Sequence, residues 1–462
     1  MNWIFPKYIQ EEKPRNYSWW IYVLMICLPL LVGIITAVLY KINVPEITTA
    51  KFLIIALALP LLIALAMICF CMNMMHFKHA EYLMRDNFFR QKEYQWKCST
   101  RESRGIFAYA MLSPAADLMS GILSNAILEP INEDHCFSLD IQPFDPYQSS
   151  YFVMVCKELL NKINNDIKTS PPDKIVINAQ GVDENKINQF KSLWKALGFD
   201  ETPLSHLEVT PVPITRETVF SKTASVQEST LFIIMNVNQR DNTNDLIDEN
   251  EFAVAVMFDN SLSSRLRLSV PFSTPIATLR ENIEYYIRSG AFNKSNVDTI
   301  WIQNLEQALK TELLSILSIE ESTKVNDISL YTGKPNELIP WLGFIMGCEA
   351  LRSGRKGQLL ISNSHGILDF SIINNQREKM EGYKERVFTQ LSWFNFIGLG
   401  AVFSIVTLAS SDKIDVLGNP ILITLMAICL ILGLFALPIR SYLYRKILQQ
   451  RWLREKKVHE KR

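Results

Sequence analysis

Apolar residues gather into four long runs placed as two pairs, Trp19–Leu39 with Phe52–Met72 towards one end of the chain and Trp393–Ser410 with Ile421–Leu437 towards the other. About twenty apolar residues, rising 1.5 Å each in a helix, cross a hydrocarbon core of about 30 Å. The runs predict four transmembrane helices, two N-terminal and two C-terminal, around sequence of ordinary globular character. None contains Asp, Glu, Lys, Arg or His, the groups an ion or proton path in the bilayer usually needs, so they read as anchors. Pro60, inside the second run, is placed to kink it. Gly398 and Gly400 would permit close helix contact but lack the small-xxx-small spacing. The first run is too long for a cleaved signal peptide and another span follows it.

Between the hairpins, short β-rich runs alternate with amphipathic segments. Strands are predicted at Lys174–Asn178, Thr230–Val237, Phe252–Phe258, Arg267–Val270, Thr299–Ile302, Gln358–Ser362 and Ile367–Ile373. Helices are predicted at Tyr151–Ile167, Asn185–Leu197, Pro275–Ser289, Asn304–Leu317 and Asn336–Ser353. This alternation is the pattern of an α/β layer architecture. The stretch Leu338–Leu351 has apolar or small residues on every face before Glu349, so it is expected to be a buried helix, ended by Arg352-Ser-Gly354. Around it the order reads strand (Asp327–Leu330), buried helix, strand, tight turn, strand. Six segments result: 1–75 with the first hairpin, 76–102 a juxtamembrane helix, 103–374 the α/β domain, 375–390 a linker helix, 391–438 the second hairpin, and 439–462 a basic tail.

Charge orients this layout. Lys78, Arg85, Arg90, Lys92, Lys97, Arg101 and Arg104 follow the second span, and Arg440, Arg445, Lys446, Arg451, Arg454, Lys456 and Lys457 follow the fourth. The connectors within each pair are poor in basic residues. The positive-inside rule then places both termini and the central domain in the cytoplasm of a multi-pass membrane protein; the bacterial inner membrane is what the second resemblance given below implies. The 47 basic and 47 acidic residues cancel, so no nucleic-acid partner is implied. Cys98, Cys136, Cys156 and Cys348 are scattered without Cys-x-x-Cys spacing or paired histidines, which fits buried free thiols rather than zinc ligands or disulfides.

Four motifs invite chemistry. Ser362-Asn-Ser364-His-Gly366 is similar to a nucleophile elbow, but an elbow needs a helix next, and Ile367–Ile373 reads as a strand, so a hairpin turn is expected. The acidic stretch Asp241–Glu251 lacks the alternating ligands and central glycine of a calcium loop. His76 and His79 share a helix face with Glu81 nearby, yet further ligands to close a metal site are not apparent. Gly354-Arg-Lys-Gly357 lacks phosphate-loop spacing and follows a helix instead of preceding one. No catalytic, cofactor-binding or metal-binding residue is assigned, and no cofactor is expected.

Two resemblances add to this reading. The module of strand, buried small-residue helix and closing strand pair, with Tyr151–Ala179 before it, resembles the thiolase and ketoacyl-synthase fold. The family's reactive cysteine and paired histidines find no counterparts here, which implies a degenerate, non-catalytic version. The span layout, with Ser192-Leu-Trp-Lys-Ala-Leu-Gly198 and Trp341–Gly354, is similar to accessory inner-membrane proteins of bacterial type VI secretion. The expectation is a non-enzymatic adaptor that docks a protein partner, a secretion component or effector, at the lipid bilayer; a homo-oligomer is compatible with it. The alternatives are a membrane-associated acyl- or lipid-processing enzyme using Cys348, Ser364 or His365, and a toxin immunity protein.

Overall fold

Strands whose residues are apolar on both sides must be covered on both sides, and that requirement sets the architecture of the central domain. The computed structural model describes residues 13–46, 48–113, 150–223, 228–237, 250–259, 264–319, 323–332 and 337–375, with isolated residues elsewhere. It falls into two compact units, one built on Trp96–Glu381 and one on Phe5–Gln95 with Gly382–Arg462.

The second unit contains α1 (Trp19–Asn43) and most of α2 (Thr49–Thr100), both long and apolar enough to cross a membrane. Their apolar side chains are largely uncovered by protein, Leu31 being 59% and Phe70 66% exposed, unlike those of a core helix. Among the buried residues is a seam of small ones: Gly33 and Ala37 on α1, Ala56, Pro60 and Ala64 on α2. Gly33 and Ala37 have the small-xxx-small spacing that lets two helices approach closely. A methyl group on Gly33 would collide with Pro60 Cγ and stand 3.2 Å from the Ala56 carbonyl oxygen. A short π-helical stretch, Ile54–Ala58, precedes Pro60, whose missing N–H disturbs the i→i−4 ladder there. Gly33→Val is therefore expected to lower the thermal midpoint of the detergent-solubilised chain, whereas Leu31→Val, on the uncovered face, leaves it unchanged. The third and fourth apolar runs lie outside the described residues except for parts of 397–404.

The first unit is an eleven-stranded mixed sheet. Its strands are β1 (Ser103–Leu112), β2 (Lys174–Asn178), β3 (Leu207–Thr210), β4 (Thr230–Asn236), β5 (Phe252–Asp259), β6 (Leu266–Ser269), β7 (Phe272–Pro275), β8 (Val297–Gln303), β9 (Lys324–Asp327), β10 (Gly357–Ser364) and β11 (Ile367–Asn374). The spatial order is β3-β2-β4-β5-β1-β6-β11-β10-β8-β9, with β7 on β11. The order is an internal duplication. In each half the first strand pairs antiparallel with the fifth or beside it, the second, third and fourth run parallel, and the third lies at the edge. The two halves meet where β1 pairs β6.

Helices cover the sheet half by half. In the first half, α3 (Tyr151–Lys162), α4 (Asn164–Thr169) and α5 (Glu184–Ala196) pack on Ile175, Ile177, Leu231, Ile233 and Met257. In the second, α7 (Leu279–Ser289) and α8 (Gln307–Leu317) pack on Ile300, Ile302, Leu359, Ile361 and Phe370. The opposite faces of both halves share one core with α9 (Pro340–Arg352), which Val219 of α6 (Arg216–Lys222) joins. Trp341 to Cys348 are buried on every face of α9, as its composition predicts. Gly343 and Gly347 let its backbone settle on the strands, since a methyl group on Gly343 would meet Gln303 Nε2 at 2.9 Å. The expected strand at Asp327–Leu330 is instead the end of β9 followed by a 3-10 turn, Ile328–Tyr331.

Candidate functional site

Ser364 and His365 stand together at a hairpin turn, whereas Cys348 is buried in the core. Ser364 and Ile367 pair across a two-residue hairpin whose His365 and Gly366 both take left-handed backbone angles, 49° and 79°. That is the geometry of a tight primed turn, with a strand and not a helix after it, so no nucleophile elbow exists. His365 Nε2 lies 2.7 Å from Glu337 Oε1, and both side chains are exposed. Cys348, by contrast, is sealed within the shared core, and burial followed by the neighbouring Glu349 charge holds its thiol well above the ordinary value. A buried neutral thiol is a poor nucleophile. The alternative set of Cys348, Ser364 and His365 is thus not assembled into one reactive centre.

The acidic stretch lies outside the described residues apart from Asn250 and Glu251. Glu251 is buried and accepts hydrogen bonds from the Leu139 N–H at 2.9 Å and the Tyr151 hydroxyl at 3.1 Å, so this carboxylate serves the interior. His76, His79 and Glu81 lie along α2, and no group of three potential metal ligands occurs among the described residues.

What the sequence did not single out is a cleft of about 460 Å³ beside β1, β6 and the end of α9. Ile106, Phe107, Ala108, Leu266 and Leu351 supply the apolar, and smaller, part of its lining. Its polar end is formed by Tyr109, Ser264, Arg265, Arg352 and Asp166. β1 bulges between Ile106 and Ala108 in its pairing with β5, which re-aims the side chains that follow. Tyr109 points to the α9 side of the sheet, where it packs against the shared core. Its hydroxyl oxygen and that of Ser264 are buried and lack a hydrogen-bond partner of good geometry among the described residues.

Electrostatics keep the Tyr109 phenol protonated. Burial raises its pKa, and the neighbouring Cys348 and Glu349 add to this, while Arg352 works in the opposite direction. The Arg352 guanidinium sits beside that phenol and is itself held in its charged form by it and by Glu349 and Asp166. Glu349 reaches Arg352 at 4.0 Å. The cleft is therefore lined by two arginine side chains, Asp166 and some apolar groups, with the buried neutral phenol of Tyr109 beside Arg352. Tyr109 and Arg352 are 243 residues apart in sequence, so no local motif announces them.

No protein-family model and no curated protein matches the chain. Among solved structures it is similar to OleA of Xanthomonas campestris with cerulenin bound, at 9% identity and a TM-score of 0.38, over 59% of this chain and 97% of that one. It is also similar to AbyA1, a tetronic acid condensing enzyme, at 10% identity and a TM-score of 0.40, over 58% and 99%. These likenesses are of fold: a mixed α/β sheet whose neighbours are thiolase-like condensing enzymes. The sequence had led to the expectation of a non-catalytic adaptor that is not an enzyme, whereas the solved structures found similar are condensing enzymes. The similarity to type VI secretion accessory proteins finds no support among them.

Proposed function

We propose that the chain is a membrane-anchored protein whose α/β domain binds an acyl or lipid substrate in the cleft beside Tyr109 and acts on its carbonyl or ester group. The observation that carries this reading is the cleft's composition, apolar side chains on part of its lining beside a protonated phenol and two arginine side chains. The apolar part suits an acyl chain, and the polar end suits the oxygen atoms at its head. The duplicated strand order around one buried helix supports a thiolase-like frame. The anchoring part of the proposal is a pair of hairpins with the domain and both termini in the cytoplasm, supported by the two apolar helices and the basic residues after them.

In this reading the Tyr109 hydroxyl donates to the acyl oxygen, and Arg352 stabilises the negative charge that builds there. Charge-stabilising donors aimed at such an oxygen typically contribute about 10²–10³ in rate. The whole chain in detergent, incubated with a long-chain acyl thioester, is expected to pass the acyl group to water, releasing the free thiol and the fatty acid. Tyr109→Phe and Arg352→Gln should each slow that release by about 10²-fold while leaving the thermal midpoint in place. If neither binding of the thioester nor thiol release is detected with the wild-type chain, the acyl reading fails. Release that is unaffected by both substitutions removes this cleft from it.

A further inference from the structure

Where α2 leaves its apolar run, the chain concentrates soft ligand atoms. Met, Cys and His number 15, 8 and 6 in 462 residues, yet they supply seven of the eleven positions from Cys69 to His79, about ten times the chain average. At about 100° per residue, Met72, Met75 and His79 stand at i, i+3 and i+7 on one face of α2. That face is half-buried, whereas Met74 and Lys78, on the other side of the helix, are exposed.

The sulfur atoms on this face are turned to a common point. The Tyr22 hydroxyl of α1 lies 3.1 Å from Met72 Sδ and 3.5 Å from Met75 Sδ, and the Tyr17 N–H donates to Met75 Sδ at 3.4 Å. A methionine that only fills space among hydrocarbon neighbours needs no such alignment. The hydroxyl has one proton and serves one sulfur at a time. We propose that Met72 and Met75, with His79 one turn further on, form a binding site for a soft monovalent cation, Cu(I). The site is independent of the acyl reading and concerns different residues.

The donor set decides between metals. Thioether sulfur selects Cu(I), and imidazole is compatible with it, whereas zinc is held by thiolate, imidazole and carboxylate. Among the described residues, His, Cys, Asp and Glu do not gather in threes, so the cluster does not suit zinc. Its distinguishing members are the two thioethers, which are neutral and have no proton to lose. Uncharged ligands of this kind also fit a stretch that begins inside an apolar run, where ionised side chains are costly. A single positive charge is easier to bring there than a double one, because the cost of desolvation rises steeply with charge.

The test uses the whole chain in detergent, with carbon-13 in its methionine methyl groups and its accessible thiols blocked by N-ethylmaleimide. Ag(I), which shares the charge and softness of Cu(I), is added up to one equivalent and followed by NMR. The signals of Met72 and Met75 are identified by their loss in Met72→Leu and Met75→Leu, changes that conserve volume, and the unliganded thermal midpoints check that the fold is kept. Both signals are expected to shift together in the wild type. Cu(I), kept reduced with ascorbate and competed against bicinchoninate, should bind either Leu variant and His79→Gln at least about tenfold more weakly, since even partners that only orient a metal ligand are worth about 10–100-fold. Met74→Leu, on the exposed side, should leave the affinity unchanged. Met72 and Met75 signals that stay in place as Ag(I) is added, or Cu(I) affinities equal in the wild type and the Met72→Leu and Met75→Leu variants, overturn the site.

Discussion

Trp341→Ala is expected to destabilise the α/β domain by about 4 kcal/mol, as large-to-small changes of buried tryptophan do. Three terms add at this position. The indole is 1% exposed in the core shared by the two halves, so its removal leaves a cavity that strands from both must line. Its ring meets Phe344 edge-on at 5.4 Å. Its Nε1–H donates to the Ile214 carbonyl at 2.8 Å, just before α6, and that acceptor would be left unpaired in the interior. A domain of this size is expected to lose about 10 °C in thermal midpoint for such a change. Trp341→Phe separates the terms: it keeps most of the apolar body and should cost about 1–2 kcal/mol for the lost donor. Thermal unfolding of the solubilised chain, followed by near-UV circular dichroism, reads both. Equal losses for Ala and Phe would mean that the hydrogen bond, and not the packing, joins α9 to the first half.

The same packing explains what could be read from the amino-acid pattern. Strands β2, β4, β5, β10 and β11 have runs such as Leu231-Phe-Ile-Ile-Met235 that are apolar on both faces, and these were legible because both faces are buried. The all-round apolar α9 was legible for the same reason. Strand β1 was not, although it joins the halves. Ala108 and Ala110 face one core and Tyr109 and Met111 the other, a mixture too weak in apolar content to stand out. Strands β3, β7 and β9 are four residues each and draw their register from neighbours. Helix α6 is seven residues and is set by a Thr215 cap accepting from Thr218 N–H.

The candidate site was less legible than the fold, because clefts are made by tertiary contact. Tyr109 enters on β1 and Arg352 on the last turn of α9, and only the duplicated topology brings α9 onto β1. Cys348 is the converse case. A thiol is a nucleophile in principle, but the helix that carries this one is covered on every side. Gly33 and Pro60, in turn, look like incidental breakers of two apolar runs until their contact is seen.

Arg216→Ala carries the other large expected effect, about 3–5 kcal/mol of destabilisation. Arg216 opens α6 and is buried, with Nη2 donating to Ser362 Oγ at 2.8 Å and to the Asp369 carbonyl at 3.3 Å. It thereby ties the first half to β10 and β11 of the second. Burial lowers its pKa to about 10, while the Asp369 carboxylate and Tyr286 act in the opposite direction. The cost of the buried charge thus outweighs what its neighbours return. It follows that Arg216→Met, which keeps the bulk and removes the charge, should be far milder than Arg216→Ala and close to neutral. The pH dependence has a definite sign. Because the folded pKa lies below the unfolded one, the unfolded chain binds more protons between them, and stability gains with rising pH in that window. Wild type should therefore improve relative to Arg216→Met as pH rises from about 10 to about 12, a difference in which the other titrating groups cancel. If the Met variant is as damaged as the Ala variant, the guanidinium hydrogen bonds outweigh desolvation, and the two halves are held together by polar contacts more than by the shared core.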